Sequence, residues 1–398
     1  MSAGTRSIRN VCASVAALLI AQLLLSCANK ALISSQPVVI ADLQIGRDYQ
    51  GPVRRIAFDA SGEAWMATSE ALYRVQDGKP IEVDKRARPG QQLLVAPDGG
   101  MYAWLIPGDQ PPYLHYVELL ELPKKPIATL RLPDFPYGFG TLYLGGSGNL
   151  IVTVTPLDNA EGLSGDFLYV FWSRDGSILS RATVAGPRIV VTDVGGEAIL
   201  LIGTSDAVAF RNDGLELWRL SGRFRKAALG GKGNTALLNP AEKGSVHEVH
   251  VFHKARVTTV TMAAPVYDLA LTADGSQGAV AIGKGEILFI TPQTCNGVAC
   301  APVRAAGSAD GNYQITMLRF VSEQVLAVGK IKEVGAAPRL EYPEGALAAL
   351  SVAGDVLIER VVPLEQPATW SPSIDASYSA PVFGAHTPHR AYIVRLNP

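Results

Sequence analysis

The sequence predicts an all-β fold, and three observations predict it. From Val38 to the end of the 398-residue chain, apolar residues come in runs of four to eight separated by Gly, Asp-Gly, Asn or Pro, and no stretch keeps a convincing helical period. A strand, a tight turn and a strand recur as a group, first over Arg55–Thr68 and then at Leu93–Trp104, Leu142–Val154, Ile189–Leu201, Ala227–Leu238, Asp268–Ala281 and Met317–Val328. The turn positions of these seven units are Gly62, Gly100, Gly148, Gly196, Gly233, Gly275 and Glu323, spaced 37 to 48 residues apart. That period is close to the roughly 40 to 50 residues of a propeller blade.

Composition removes several function classes before any motif is considered. The chain has 35 Lys+Arg against 36 Asp+Glu, a formal net charge of -1, and no long basic run, so the electrostatic footprint of a nucleic-acid binder is missing. At 48% hydrophobic and 18% charged, with aliphatic and aromatic residues spread evenly, it is not a disordered chain.

In chain order, the first element is a leader. Arg6 and Arg9 precede an apolar stretch of 15 residues, Val11–Leu25, which is short for a membrane span of about 20 residues and fits the core of an export signal. It ends in Leu24-Leu25-Ser26-Cys27, which resembles the lipobox of bacterial lipoproteins. That resemblance implies a signal peptide over 1–26, cleavage beside the small Ser26, and lipidation of Cys27, whose thiol alone can form the thioether. An uncleaved anchor or a plain secretory signal is the competing reading. With Ala28 and Asn29 rather than Asp after the cysteine, analogy with enterobacterial lipoproteins places the protein at the outer membrane of a Gram-negative host. A polar tether, 27–36, follows, and the propeller is expected over 37–398.

The blades come next. Several units carry a second hairpin signal, an Asp-Gly after an apolar strand, at Asp77-Gly78, Asp175-Gly176 and Asp213-Gly214, where the dipeptide supplies the twist of a two-residue turn. Each repeat then holds about four strands. The last stretch offers three more, Trp370–Asp375, Ser379–Ala385 and Ala391–Leu396, and the strand Val38–Leu43 can supply the fourth. Such a composite blade joins both chain ends and removes a free edge. The expectation is a single eight-bladed propeller, with seven blades and an irregular C-terminal segment as the alternative.

Family resemblances agree on this fold. Ala207–Trp218, with Asp213-Gly214 and Leu217-Trp218, resembles the outer half of a blade in quinoprotein-type propellers, which include the propeller lipoproteins of the β-barrel assembly machine. Tyr267–Ala281 is similar to a WD-repeat or YVTN-type blade, and Ala60–Lys79 to blades of two-component-regulator propellers. These resemblances imply a rigid binding disc in the cell envelope, tied to the membrane by its lipid and working with a protein partner.

Chemistry-bearing motifs are few. Cys295 and Cys300 flank Asn296-Gly297, and in an exported chain this pair is expected as a local disulfide contributing roughly 2 kcal/mol by loop closure. A redox or zinc pair would need a Cys-x-x-Cys spacing that is lacking. His247, His250 and His253 lie on one strand, where His247 and His253 share a face and His250 points away, a poor chelate. His386 and His389 are expected in a hairpin loop, and Asp158, Glu161 and Asp166 in a solvated acidic loop over Pro156–Asp166. No phosphate-binding loop, nucleophile elbow or zinc-protease motif occurs, and no cofactor is expected. The Pro/Gly-rich stretch Leu132–Gly140 carries Phe135, Tyr137 and Phe139, either a partner-binding loop or a plug between blades, with Ile106–Tyr113 and Ile331–Gly345 as further loops. An enzyme, hydrolase, lyase or quinoprotein-type dehydrogenase, and an extracytoplasmic ligand sensor remain the other function classes. Convergent carboxylates, Arg and His at the channel mouth would favour the enzyme, and a channel lined by small or apolar side chains with an aromatic patch on one face would favour the scaffold.

Overall fold

A computed structural model describes residues 38–396 except 60, 87–91, 107–115, 133–140, 147–148, 160–161, 187–188, 194, 242–246, 284, 296–302, 306–312, 333–343, 353–355, 364–372 and 378–379. The turn residue Gly148 and the whole leader and tether lie outside these. Among the described residues there is no α-helix, only two single-turn 3-10 segments, and no helix long and apolar enough to cross a membrane.

The strands form eight four-stranded antiparallel sheets. The chain begins with β1 (Val38–Gln44) and then builds blade 1 from β2 (Val53–Phe58), β3 (Ala64–Thr68), β4 (Ala71–Gln76) and β5 (Lys79–Lys85). Blade 2 holds β6 (Gln92–Val95), β7 (Met101–Ile106), β8 (Tyr116–Glu121) and β9 (Lys125–Arg131). Blade 3 holds β10 (Thr141–Leu144), β11 (Ile151–Asn159), β12 (Gly162–Trp172) and β13 (Ile178–Ala185). Blade 4 holds β14 (Ile189–Thr192), β15 (Ala198–Ile202), β16 (Asp206–Arg211) and β17 (Glu216–Ser221). Blade 5 holds β18 (Phe224–Gly230), β19 (Thr235–Pro240), β20 (His247–His253) and β21 (Arg256–Met262). Blade 6 holds β22 (Val266–Leu271), β23 (Gly278–Ile282), β24 (Glu286–Ile290) and β25 (Val303–Ala305). Blade 7 holds β26 (Tyr313–Ser322), β27 (Val325–Lys332), β28 (Glu344–Ser351) and β29 (Val356–Pro363). Blade 8 takes β30 (Ser373–Ala376), β31 (Val382–His386) and β32 (Arg390–Arg395) from the C-terminal end, and β1 closes it as the outermost strand.

The seven repeat units read from the sequence are the first two strands of blades 1 to 7, and the closing strand is where alternation at Val38–Leu43 placed it. β1 pairs with β32 from Val38↔Arg395 to Gln44↔Arg390, and Arg390 holds Asp42 through two nitrogens at 2.9 and 3.1 Å. This fork fastens the two ends of the chain to each other.

The core explains the ring. Among the described residues the buried side chains gather into eight clusters, each drawn from two consecutive blades. One of them joins Ile56 and Met66 of blade 1 to Val382 and Ile393 of blade 8, closing the circle. Second strands such as β3, β7, β15 and β23 are buried at every position, since both faces of a blade's middle meet a neighbour. Outer strands alternate with water, as in β21. One glycine is demanded by this packing: Gly196 has φ +66°, and a Cβ there would stand 1.8 Å from the Gly146 nitrogen across the seam between blades 3 and 4.

Two loop expectations are corrected. Pro156–Asp166 is not an irregular loop: β11 and β12 stay paired out to Asn159↔Gly162, so blade 3 extends as a long hairpin. His386 is the last residue of β31, not part of the turn, because its backbone pairs with both Ser373 and Ala391.

Candidate functional site: the axis and the two faces of the disc

First strands of successive blades surround the axis, and each leaves one edge without a ladder partner. Three of their backbone N–H groups are satisfied by side chains from the preceding blade. Ile56 donates to Asp375 Oδ2 at 3.0 Å, Leu318 donates to Asp268 Oδ2 at 2.8 Å, and Ile374 reaches the sulfur of Met317 at 3.0 Å. Around Asp375, Arg55 Nε stands 3.7 Å away and His386 Nε2 3.6 Å away, the imidazole being buried. Burial pushes the Asp375 carboxyl up, but His386, Arg55 and the Ile56 N–H outweigh it and hold it below the usual carboxylate range. Asp268 goes the other way. Its burial raises the carboxyl above that range despite the Leu318 N–H and Lys226, whose Nζ is 3.8 Å distant.

A carboxylate, an arginine and a histidine therefore do converge near the axis, at the seam between blades 8 and 1. Their chemistry is that of a tie, because Asp375 is committed to the backbone of the next blade. A second tie joins blades 1 and 2 further out. Asp84 on β5 accepts from Tyr102 Oη at 3.1 Å and Trp104 Nε1 at 3.0 Å, while Lys124 Nζ lies 3.0 Å and Arg86 Nε 3.7 Å away. Arg86 also stacks 5.5 Å over Trp104 and pairs with Glu118.

The residues singled out from the sequence do not come together. His247 and His253 stand at opposite ends of β20, roughly 20 Å apart at the rise of a strand, too far to share an ion. His253 Nδ1 instead meets Thr235 Oγ1 at 3.0 Å, and burial lowers its basicity. His250 packs edge-on against Phe224. Among the described residues no group of three His, Cys, Asp or Glu is placed to hold a metal. Cys295 is buried beside blade 6, between β24 and β25, and Cys300 lies outside the described residues, as do Cys27, Phe135, Tyr137 and Phe139.

The strand bounds divide the connections between two faces. One face carries the links between blades and those between second and third strands; the other carries the first-to-second and third-to-fourth hairpins. With one exception, every pair of consecutive strands separated by more than six residues has its joined ends on the former, including the pairs separated by 45–52, 107–115, 132–140, 333–343 and 364–372. The exception is 291–302, the connection that contains Cys295 and Cys300. Phe135, Tyr137 and Phe139 thus belong in sequence to a connection of the loop face, between β9 and β10.

No family model and no curated protein matches the chain. Solved structures do. The computationally designed Ika8 protein is 12% identical with a TM-score of 0.55, over 89% of this chain and 98% of that one. The C-terminal WD40 domain of Sif2 is 9% identical with a TM-score of 0.55, over 92% and 99%. BamB from Moraxella catarrhalis is 9% identical with a TM-score of 0.51, over 90% and 99%. At these identities the likeness is one of fold, and the chain is a β-propeller of the kind seen in WD40 domains and BamB.

Proposed function

We propose that this chain is a lipid-anchored scaffold of the bacterial cell envelope that binds a protein partner through the loop face of its disc. The propeller is 37–398, preceded by a signal peptide over 1–26 and a tether over 27–36 whose first residue, Cys27, carries the lipid. The observation that carries the binding reading is the concentration of long connections on one face of a rigid ring, the arrangement in which loops bind and the scaffold positions them. Asp268 and Asp375 each give one oxygen to the backbone of the next blade, a structural use of these carboxylates that suits a scaffold. The approach of Arg55 and His386 to Asp375 is the feature that speaks for the enzyme. A disulfide between Cys295 and Cys300 suits the same picture: it would staple the one long connection of the opposite face.

Two measurements test this. Mass spectrometry of the membrane-extracted protein is expected to find an acylated N-terminal Cys27, and Cys27→Ser to abolish labelling by a fatty acid; labelling that survives overturns the anchor. Cross-linking followed by purification is expected to recover a defined partner, and Phe135→Ser with Tyr137→Ser and Phe139→Ser to lower that recovery at least about tenfold, as removal of aromatic anchors does. Recovery of the chain alone overturns the scaffold reading.

A further inference from the structure

We infer that the hairpin face of the disc, opposite the loop face, lies against the lipid surface and touches it through an apolar rim. This rests on the anchored reading but adds a surface and an orientation to it. The rim is made of Ile81, Ile178, Leu179, Leu215, Val257 and Val356, each 43 to 55% exposed, together with Val38 at 48%. Exposed aliphatic side chains scattered over a surface are ordinary. Their placement here is not scattered. Each falls within the first three residues of an outer strand or directly before one, and these positions come from blades 1, 3, 4, 5, 7 and 8.

The outer strands of blades 1 to 7 begin on the hairpin face, since each follows the connection from the third strand. Ile81 pairs with Arg74, Ile178 with Trp172, Val257 with Phe252 and Val356 with Leu350, all near the closing end of a hairpin. Strand alternation accounts for Val257, on the water-facing side of β21, but not for the pair in blade 3. An outer strand half-covered by its neighbours hides every second side chain, yet Ile178 and Leu179 are adjacent and both exposed.

The position of the chain's start selects the occupant. β1 runs from Val38, opposite the last residue of β32, to Gln44, opposite its first, so the strand begins on the hairpin face and ends on the loop face. Residues 27–37 precede it and can span at most roughly 35 to 40 Å. A lipid on Cys27 therefore emerges beside the apolar rim, and at that tether length the rim meets the bilayer at high effective concentration. Aliphatic side chains of this size suit the boundary between headgroups and acyl chains. The loop face then points away from the membrane, where a protein partner has access to it.

Hydrogen–deuterium exchange of the purified full-length protein, on vesicles of phosphatidylethanolamine and phosphatidylglycerol and off them, tests the orientation. Amides at 79–82, 178–180, 215–217, 256–258 and 356–357 are expected to exchange at least about threefold more slowly on vesicles, with loop-face positions such as 69–70 and 387–389 unchanged. Ile81→Ser combined with Leu179→Ser, Leu215→Ser and Val257→Ser, all outside the buried clusters, is expected to remove that protection while the lipidated protein stays folded and vesicle-bound. Vesicle-bound protein with no rim protection, or with protection on the loop face, overturns the inference. So does rim protection that appears only when another protein is added. Mass spectrometry of Cys27 on the same sample separates the two readings: an unmodified Cys27 with a protected rim defeats the anchor and leaves the membrane-facing rim standing.

Discussion

Asp193 is the residue whose burial has the clearest consequence. It directly follows the first strand of blade 4, and its Oδ1 accepts the N–H groups of Glu197 at 2.7 Å and Ala198 at 2.9 Å. Burial nevertheless dominates and pushes its pKa up to about 6 from 3.8. A carboxyl raised in the folded state contributes stability that is complete below about pH 4 and is lost as the pH climbs through about 6. The difference of roughly two units corresponds to about 3 kcal/mol lost by neutral pH. Asp193→Asn keeps an acceptor for both amides and cannot ionise. Its melting temperature is expected to exceed that of the parent at pH 7.5 and to match it near pH 4; parallel curves would disprove the assignment. Asp59, Asp84 and Asp375 act in a different window. Burial raises each, but hydrogen bonds and cations overcome it, so their contributions fail only as pH falls below about 4. None of these roles was legible from the sequence. Asp84 meets Tyr102 and Trp104 18 and 20 residues away, and Asp375 meets Ile56 across 319 residues. Local pattern carries no information about such partners. Ala385–His389 reads as a hairpin loop, whereas ladder pairing on both sides keeps His386 in the strand.

At the scale of elements, the first two strands of each blade were the most legible. Their turns carry Gly at tight positions, and their cores are apolar runs such as Ala198–Ile202, buried throughout. Outer strands were harder to see, because half of their residues face water and sequences such as Lys79–Lys85 lack an apolar run. β1 was legible through its alternation, and its role in closure followed from the three strands left over at the C-terminal end. The weight it carries can be measured. The Arg390 fork on Asp42 is half-exposed, so its worth is about 1 kcal/mol, and the remaining hold comes from the ladder and from Ala41 and Leu43 in the closing cluster. Arg390→Ala is expected to speed exchange of the 38–44 amides about fivefold through local opening of β1, with little change in blades 3 to 6. Unchanged exchange would mean that the ladder and apolar contacts hold the strand alone.

For the whole molecule, the proposed division of labour between faces leads to the widest test. Eight clusters shared between neighbours make each blade depend on the next, so the ring is rigid and its two faces point in fixed, opposite directions. A rigid disc lets one face meet a membrane while the other holds a partner, with no conformational change linking them. In the proposed arrangement the loop substitutions at Phe135, Tyr137 and Phe139 and the rim substitutions at Ile81, Leu179, Leu215 and Val257 act on separate surfaces that share no partner. Their effects are therefore expected to add. The loop variant should lose partner recovery and keep rim protection on vesicles, the rim variant should do the reverse, and the combined variant should show both losses at the magnitudes measured singly. A rim variant that also loses its partner in detergent would place the partner on the hairpin face. The apolar ring would then be a protein interface, and the long connections would need another role.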